Sequence, residues 1–325
     1  MTTFQCELGR ETNFSRKVPA GARFDLALNF DIPVFDNPLP YVPELDPDYF
    51  FDAETTTALL IGFARNRRVL LHGLHGVGKS THIEQIAARL GWPCLRLNLD
   101  SQISRMDLIG KDSIRLSEGL QITEFQDGVL PWALQRPVAL ILDEYDAARP
   151  DVLFVFQRVL ENNGKLVLPD RARVIQPHSC FRLFATANTL GMGDATGIYH
   201  GTQPLNQGQL DRWNLVAELR YLKPEREVEL VLAKMPELAA VEGRALVEAM
   251  VVFAGLTREG FQLGDVATIL SPRGVIGWAE NWLILSDLIS SFRLSFLNRC
   301  DPAERPIFAE YFQRAFGVEL PGLRI

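Results

Sequence analysis

The stretch LHGLHGVGKSTHIEQIAARL, residues 71–90, decides the fold class of this chain. Within it, residues 73–80 match the pattern G-x-x-x-x-G-K-[ST], whose glycines let the backbone curl around a phosphate group. A short apolar run at residues 67–73 leads into the loop, and a pattern with helical periodicity follows it. The order of strand, glycine-rich loop and helix predicts a phosphate-binding loop inside an α/β domain.

The loop also predicts which atoms bind the phosphates. Its successive backbone N–H groups are expected to point at phosphate oxygens, together with the positive amino-terminal end of the following helix. The predicted contacts come from Gly73, His75, Gly76, Val77, Gly78, Lys79, Ser80 and Thr81. The Lys79 ammonium is expected to reach the β and γ phosphates, and the Ser80 hydroxyl to ligate Mg²⁺. We therefore predict a site for a nucleotide with Mg²⁺.

Polar residues end two further apolar strands. In ALILDEYD, residues 139–146, Asp143 is expected to hold Mg²⁺ through a water molecule, and Glu144 to polarise the attacking water. This glutamate favours a hydrolase over a kinase or a nucleotide switch. Asn188 ends the strand LFATAN, residues 183–188, where it is placed to position water, although a turn or helix-cap role stays open.

Two arginines are candidates for contact with the γ phosphate. Phosphoryl transfer needs positive charge at that group, and an inserted arginine accelerates it by about 10³ to 10⁵. Arg212 lies in QLDRWNL, residues 209–215, and Arg273 lies in LSPRGVIGWAE, residues 270–280. If Arg212 comes from a neighbouring subunit, hydrolysis requires a ring, and if Arg273 acts from a second domain, the nucleotide state moves that domain. Either side chain is otherwise an ordinary surface cation.

The pattern of elements divides the chain into three parts. Residues 1–52, rich in Pro and Asp without helical or strand periodicity, are predicted to form an extended amino-terminal arm. Residues 53–222 alternate strands and helices, which predicts a three-layer α/β/α domain with a parallel sheet. They include two β-prone runs at residues 163–177 that predict a hairpin. Residues 223–325 favour helices and are predicted to form a smaller helical lid domain.

Charge and composition limit which classes of protein this chain can belong to. The chain has 325 residues, 47% of them hydrophobic, and a formal net charge of −7. No run of Lys or Arg is longer than the pair at residues 67–68, so a nucleic-acid partner is not expected. No apolar run approaches the ~18 residues of a membrane span, and the first residues lack the apolar core of a secretory signal. We therefore predict a cytoplasmic protein without a membrane partner.

Cysteine and histidine patterns predict no metal cluster. Cys6, Cys94, Cys180 and Cys300 lie far apart, without a C-x-x-C pair, and are interpreted as reduced thiols. His72, His75 and His82 lie around the phosphate loop without a carboxylate in register. We interpret all three as loop and helix residues without a metal role.

Together these motifs resemble those of AAA+ ATPases. The insertion at residues 105–134 and the hairpin before the Asn188 strand resemble the MoxR and magnesium-chelatase branch. Longer segments are similar to the ATPase subunits of aerobic cobaltochelatases, notably DEYDAARPDV at residues 143–152 and FATANTLGMGDATGIYHGTQPLNQGQLDRW at residues 184–213. This resemblance runs from about residue 42 to the end. Leu74 and Val77 differ from the family's loop, at positions outside its signature.

The resemblance implies roles and partners that the residues alone do not. Lys79 and Ser80 match the family's phosphate-loop pair, and Asp143 and Glu144 match its acidic pair. Asn188 matches its first sensor, Arg212 its arginine finger and Arg273 the second sensor on the lid. The implied assembly is a homo-oligomeric ring, a hexamer, that uses ATP and Mg²⁺. Its implied partners are a von Willebrand-type subunit (CobT-like) and a large corrin-binding subunit (CobN-like).

The implied reaction is ATP-dependent insertion of Co²⁺ into hydrogenobyrinic acid a,c-diamide, in aerobic cobalamin synthesis. Because the chain itself shows no metal cluster, we interpret it as the motor, with cobalt and corrin on the partners. Three alternatives remain at this point. A MoxR-like ATPase that matures another metalloprotein has the same motifs. A nucleic-acid motor is disfavoured by the net acidic insertion. An inactive scaffold is disfavoured by intact Lys79, Asp143, Glu144 and Asn188.

Overall fold

The computed structural model of the protein describes residues 8–100, 102–117, 120–161, 164–189, 205 and 207–321. Cys6 and residues 190–204 and 206, part of a segment that carries the resemblance, lie outside the described residues. The strands are β1 (Arg16–Pro19), β2 (Asp31–Val34), β3 (Val69–His72), β4 (Cys94–Asn98), β5 (Gly110–Ser117), β6 (Leu120–Asp127), β7 (Ala139–Asp143), β8 (Leu166–Leu168), β9 (Arg173–Ile175), β10 (Arg182–Ala187) and β11 (Leu215–Glu218). The helices are α1 (Ala20–Phe24), α2 (Ala53–Arg65), α3 (Lys79–Leu90), α4 (Arg105–Ile109), α5 (Val129–Leu134), α6 (Pro150–Leu160), α7 (Gln207–Leu210), α8 (Pro224–Lys234), α9 (Val241–Leu263), α10 (Pro272–Leu285), α11 (Leu288–Ser295) and α12 (Arg305–Phe316).

Within the described residues, a central sheet of five strands has the order β11-β3-β10-β7-β4. Every neighbouring pair in it is parallel. Because parallel strands have their carboxyl ends at one edge, the segments after β3, β10 and β7 meet there. The phosphate loop follows β3, Asn188 follows β10 and Asp143 ends β7. The strand order therefore brings three separate motifs to one place.

Strand β7 shows how the sheet forms the middle of three layers. Its side chains alternate between the two faces of the sheet, as in any extended strand. Leu140 and Leu142 belong to the core cluster on one face, and Ala139 and Ile141 to the cluster on the other. All four are fully buried, so both faces are covered. The predicted α/β fold with a parallel sheet is confirmed.

Two antiparallel hairpins project from this α/β unit. The first joins β5 to β6 inside the insertion before β7, with Gly110 opposite Asp127. The second joins β8 to β9, with Leu166 opposite Ile175, and it precedes β10. The second hairpin lies where the two β-prone runs at residues 163–177 predicted it, and that prediction is confirmed.

The amino-terminal arm has more regular structure than its sequence indicated. Strands β1 and β2 pair antiparallel, with Arg16 opposite Val34, and α1 lies between them. Phe35 and Ile32 are buried in the core cluster that also contains Trp92. The predicted extended arm therefore contains two strands and a short helix over residues 16–34, where its sequence showed no such periodicity. Two prolines in these four-residue strands, at positions 19 and 33, hid the strand pattern, because proline is depleted in strands.

Gly91 joins the arm to the α/β unit and is the subject of a stability prediction. It ends α3 with φ +63°, and a Cβ there would lie 2.1 Å from the Phe35 carbonyl oxygen. That backbone is held by a 2.9 Å hydrogen bond from Phe35 N–H to the Leu90 carbonyl. We expect Gly91→Ala to destabilise the protein by about 3 kcal/mol. Two costs add up: a non-glycine residue in the left-handed region, and the overpacking of the added Cβ against Phe35.

The matched control for this prediction is Gly264→Ala. Gly264 also ends a helix with positive φ, +83°, but a Cβ there would meet no atom within 4 Å. Only the backbone cost of about 1 kcal/mol is expected. Urea unfolding of both variants measures the difference, and equal losses of stability would contradict the predicted clash with Phe35.

A second compact unit comprises residues 48–50, 75–77 and 220–325. Helices α8 to α12 make up its regular structure, around an aromatic core that includes Phe253, Trp278 and Phe312. A buried ion pair joins α8 to α9, with Arg258 Nη1 and Nη2 donating to the Glu227 carboxylate at 2.6 and 2.7 Å. None of the helices in the described part of the chain has the length and apolar character needed to span a bilayer.

Candidate nucleotide-binding site

The phosphate loop is shaped for an anion by its glycines. Gly73, Gly76 and Gly78 have φ values of +150°, +75° and +93°, a region that side chains disfavour. Gly78 is the N-cap of α3 and has no side chain with which to cap the helix. The first N–H groups of α3 are thus left for a ligand, at the positive end of a 12-residue helix.

Lys79 ties the loop to the end of β10. Its ammonium donates to the carbonyl oxygens of Gly73 at 2.7 Å and Leu74 at 3.1 Å, and to Asn188 Oδ1 at 2.9 Å. The side chain is 8% exposed. Burial lowers the pKa of Lys79 to about 8, although the nearby carboxylates of Asp146, Asp143 and Glu144 act to raise it. The lysine and asparagine singled out from the sequence are therefore in direct contact.

Asp143 lies beside the start of α3, and its carboxylate accepts hydrogen bonds from three side chains. Its Oδ1 accepts from Ser80 Oγ at 2.5 Å and from the Thr186 hydroxyl. Its Oδ2 contacts the guanidinium of Arg96 on β4, whose side chain is half exposed. The Asp143 side chain is 6% exposed. Ser80 and Asp143 thus place a hydroxyl and a carboxylate in contact at the mouth of the phosphate loop.

Glu144 is exposed and has a strained backbone. Its φ and ψ are 56° and 44°, in the left-handed region that costs a non-glycine residue about 1–2 kcal/mol. Its N–H donates to Thr186 Oγ1 at 3.3 Å, and its carbonyl accepts from Ala147 N–H at 2.9 Å. Strained backbone of this kind is concentrated at functional sites. The conformation places the Glu144 side chain in solvent next to the buried Asp143.

Asp146 orients the turn that carries Asn188. Its Oδ2 accepts from the N–H groups of Asn188 and Thr189 at 3.0 and 2.8 Å, and from Thr189 Oγ1 at 2.9 Å. The Asp146 side chain is fully buried. A buried carboxylate with several such donors is a strong orienting group. The short helical turn after β7 therefore holds the backbone N–H of Asn188 in place.

The structure places the two candidate arginines on different elements of the chain. Arg212 precedes β11, and its guanidinium contacts the Gly208 carbonyl. Because Leu215 pairs with Val69 at the start of β3, Arg212 precedes the amino-terminal end of β11, whereas the phosphate loop follows the carboxyl end of β3. Arg273 is exposed in the first turn of α10, which Ser271 caps, in the second unit. The described contacts do not bring Arg212 to Lys79 or Asn188.

Comparison with known proteins shows which family the chain belongs to. The family profile described as AAA domain (dynein-related subfamily) matches residues 68–198. Over 297 residues the chain is 58% identical to the aerobic cobaltochelatase subunit CobS of a Sinorhizobium species, which covers 91% of this chain and 90% of that protein. The chain belongs to the CobS family.

Other similar proteins match a smaller share of this chain. Midasin of Dictyostelium discoideum is 30% identical over 172 residues, which are 53% of this chain and 3% of midasin. Among solved structures, NtrX from Brucella abortus in complex with ADP is similar with a TM-score of 0.47 and 16% identity, over 73% of this chain and 51% of that one.

Sequence reasoning missed three residues of the site in this CobS family member. Asp146 stands three residues after Asp143, and Thr186, on β10, stands two before Asn188. Their spacing from the predicted residues was the available signal, although their partners were not evident from it. Arg96 carried no signal, because it approaches Asp143 only through the pairing of β4 with β7.

The donor set at this site fits Mg²⁺. Mg²⁺ binds through one or two protein oxygens plus phosphates and water, rather than in a cage built by the protein alone. Ser80 Oγ and Asp143 Oδ1 are such oxygens and lie 2.5 Å apart. Among the described residues, no three His, Cys, Asp or Glu side chains form a group that could hold a metal ion. The pair therefore suits a cation that arrives with a nucleotide.

His82 gives this CobS family member a pH-dependent stability. It is 1% exposed on α3, where Nε2 and Thr56 Oγ1 are 2.9 Å apart. Burial lowers the pKa of His82 from 6.5 to about 4, although Asp52 acts to raise it. The unfolded chain therefore binds more protons between pH 6.5 and 4, and stability is lost as the pH falls through that window. We expect a loss of about 3 kcal/mol from this group.

Urea unfolding at pH 7 and pH 4.5 measures this effect. His82→Gln keeps a hydrogen-bonding group beside Thr56 but does not titrate in this window. The variant is expected to lose less stability than the wild type between the two pH values. Parallel losses in the two proteins would show that other groups cause the acid sensitivity.

Proposed function

We propose that this chain is the ATP-hydrolysing motor subunit of a cobaltochelatase. The observation that carries the proposal is the cluster of Lys79, Asn188, Ser80 and Asp143 around the phosphate loop. Its parts come from three different strand ends, which a chance motif match would not bring together. The 58% identity to CobS supports the chelatase assignment.

The side chains of the cluster have complementary roles in this proposal. Loop N–H groups and Lys79 would bind the phosphates, while Ser80 and Asp143 would hold Mg²⁺, the latter through water. When bound there, Mg²⁺ would supply positive charge that stabilises the phosphate oxygens. Asn188 positions a water molecule, whose oxygen attacks the γ phosphorus as its bond to the ADP oxygen breaks. Glu144 takes the proton of that water, and ADP and phosphate leave.

The orientation of the water depends on the contacts of Asn188. Lys79 donates to Asn188 Oδ1, and Asp146 holds the Asn188 backbone. A nucleotide that attracts the Lys79 ammonium to its γ phosphate would compete with this 2.9 Å hydrogen bond. The Asn188 amide oxygen would then be available to a water molecule. Phosphate binding and water positioning are linked in this way.

The ring is a further part of the proposal. Arg212 precedes the amino-terminal end of β11 and does not contact its own phosphate loop among the described contacts. We propose that it reaches the nucleotide of the next subunit in a hexamer. We further propose that Arg273 acts from a helical lid of residues 223–325, that residues 53–222 bind the nucleotide and that residues 1–52 form the arm.

The proposed work is insertion of Co²⁺ into hydrogenobyrinic acid a,c-diamide, a step of aerobic cobalamin synthesis. In this proposal the chain hydrolyses ATP, while a von Willebrand-type subunit and a large corrin-binding subunit hold the metal and the macrocycle. Co²⁺ is the substrate of that reaction and not a resident metal of this chain.

Reconstituted insertion tests the proposed function. The chain is mixed with the two partner subunits, the corrin, Co²⁺ and Mg-ATP, and insertion is followed by the change in corrin absorbance. Insertion that requires both this chain and ATP is expected. The Sinorhizobium CobS serves as the control that the partners are competent. Insertion with that control but not with this chain, despite active ATP hydrolysis, would mean a different client.

A further inference from the structure

A polar pocket lies near the amino-terminal ends of the central strands, whereas the phosphate loop lies at their carboxyl ends. Its volume is about 420 Å³, and its lining includes Asn66, Arg68, Lys165, Gln176, His178 and Ser179. We call it the basic pocket. Arg68 directly precedes β3, whereas the phosphate loop follows the other end of that strand, roughly 15 Å away at 3.3 Å per residue. No carboxylate is among the described residues that line it.

Arg68 is a buried cation without a carboxylate partner among the described residues. Its side chain is 3% exposed. Its Nη1 donates to Asn66 Oδ1 at 2.7 Å and its Nη2 to the Val159 carbonyl at 3.2 Å. The Nε–H group has no hydrogen-bond partner within the described part of the chain. Buried charges are normally paired, so this guanidinium has capacity for an anion.

A second buried guanidinium reinforces the positive charge. Arg182, 5% exposed, donates to the carbonyl oxygens of Phe63, Ser179 and Phe181 at 2.7, 2.9 and 2.9 Å. None of these partners is charged. Burial, with a smaller contribution from the charge of Arg68, lowers the pKa of Arg182 to about 10. The pKa of Arg68 is likewise lowered to about 10 by burial.

Lys165 adds an exposed cation at the rim of the basic pocket. The acid closest to it in the described sequence, Glu161, is paired with Arg158 at 2.9 Å. His178 is held by the Cys180 N–H, which donates to its Nδ1 at 3.1 Å. Burial and the neighbouring Arg182 lower the pKa of His178, which favours its neutral form. The positive charge of the pocket therefore comes from the arginines and Lys165.

We infer that the basic pocket binds an oxyanion, a carboxylate or phosphate group, through Arg68 and Lys165. Both ions present N–H donors, and the neutral amides of Asn66 and Gln176 add polar atoms around them. An anion there would pair cations that have no carboxylate partner within the described chain. It is either a free small anion or an acidic side chain of another polypeptide. The inference does not depend on the proposed ATPase activity.

Calorimetric titration of the full chain tests this inference. One arm uses inorganic phosphate and the other an N-acetylated tetraglutamate amide. Lys165→Glu is the informative variant, because Lys165 is exposed and its replacement leaves the core intact. Lys223→Glu is the matched control, since it makes the same charge change at an exposed residue of the second unit. The phosphate loop is identical in all three proteins, so differences between them report on the basic pocket.

Saturable binding is expected for the wild type and for Lys223→Glu. Lys165→Glu is expected to weaken it by about tenfold or more, and added salt to weaken it further. Tighter binding of phosphate than of the peptide would identify a small anion as the ligand, and the reverse would identify an acidic polypeptide. Equal affinities in the three proteins, or no saturable binding to the wild type, would overturn the inference.

Discussion

Glu144→Gln is expected to leave ATP binding unchanged and to slow ATP hydrolysis by about 100-fold to 10,000-fold. Glutamine has nearly the shape of glutamate, but its amide does not accept the proton of the attacking water. The Glu144 side chain is exposed and its backbone is in the left-handed region, so the substitution leaves the described packing intact. Steady-state phosphate release measures the rate, and a fluorescent ATP analogue measures binding.

Glu248→Gln is the matched control, because Glu248 is also exposed but lies on α9 in the second unit. It is expected to keep wild-type turnover and binding. If Glu144→Gln hydrolysed ATP within about threefold of the wild-type rate, Glu144 would not be the general base. If Glu144→Gln also lost ATP binding, Glu144 would contribute to binding of the substrate and not only to the transition state.

Arg212→Ala is expected to reduce ATP hydrolysis by about 1,000-fold or more, with ATP binding retained. The physical reason is the loss of a cation that faces the γ phosphate in the transition state. Because Arg212 precedes the amino-terminal end of β11, we expect that cation to come from the neighbouring subunit. Steady-state hydrolysis measures the loss, and Arg23→Ala, at an exposed residue of the arm, is the matched control.

A mixing experiment separates action within a subunit from action between subunits. Lys79→Ala subunits keep Arg212 but lack the phosphate-loop lysine. Arg212→Ala subunits keep that lysine but lack the arginine. Each variant alone is expected to be inactive. In mixed rings, an intact loop meets an intact Arg212 across some interfaces, so partial activity is expected. A mixture as inactive as its components would place the action of Arg212 within its own subunit.

Local sequence predicted the parts of the site that depend on short spacings. The loop at residues 73–80, the pair at residues 143–144 and Asn188 were each recognisable because their residues are consecutive or end an apolar run. The hairpin at residues 163–177 was recognisable from its β-prone runs. The arm was less predictable, since β1 and β2 are four residues long and each contains a proline.

By itself, the sequence determined the α/β class, the phosphate loop and the acidic pair, because backbone curvature, strand alternation and helix periodicity are local properties. Only the tertiary structure decided which side chains meet. The order β3-β10-β7-β4 brings Asn188 to Lys79 and Arg96 to Asp143, across separations of 109 and 47 residues. It also left Arg68 and Arg182 buried without a carboxylate partner in the described chain, a property that no spacing reveals. Charge pairing depends on distances in space, and those are determined by the packing of the whole sheet.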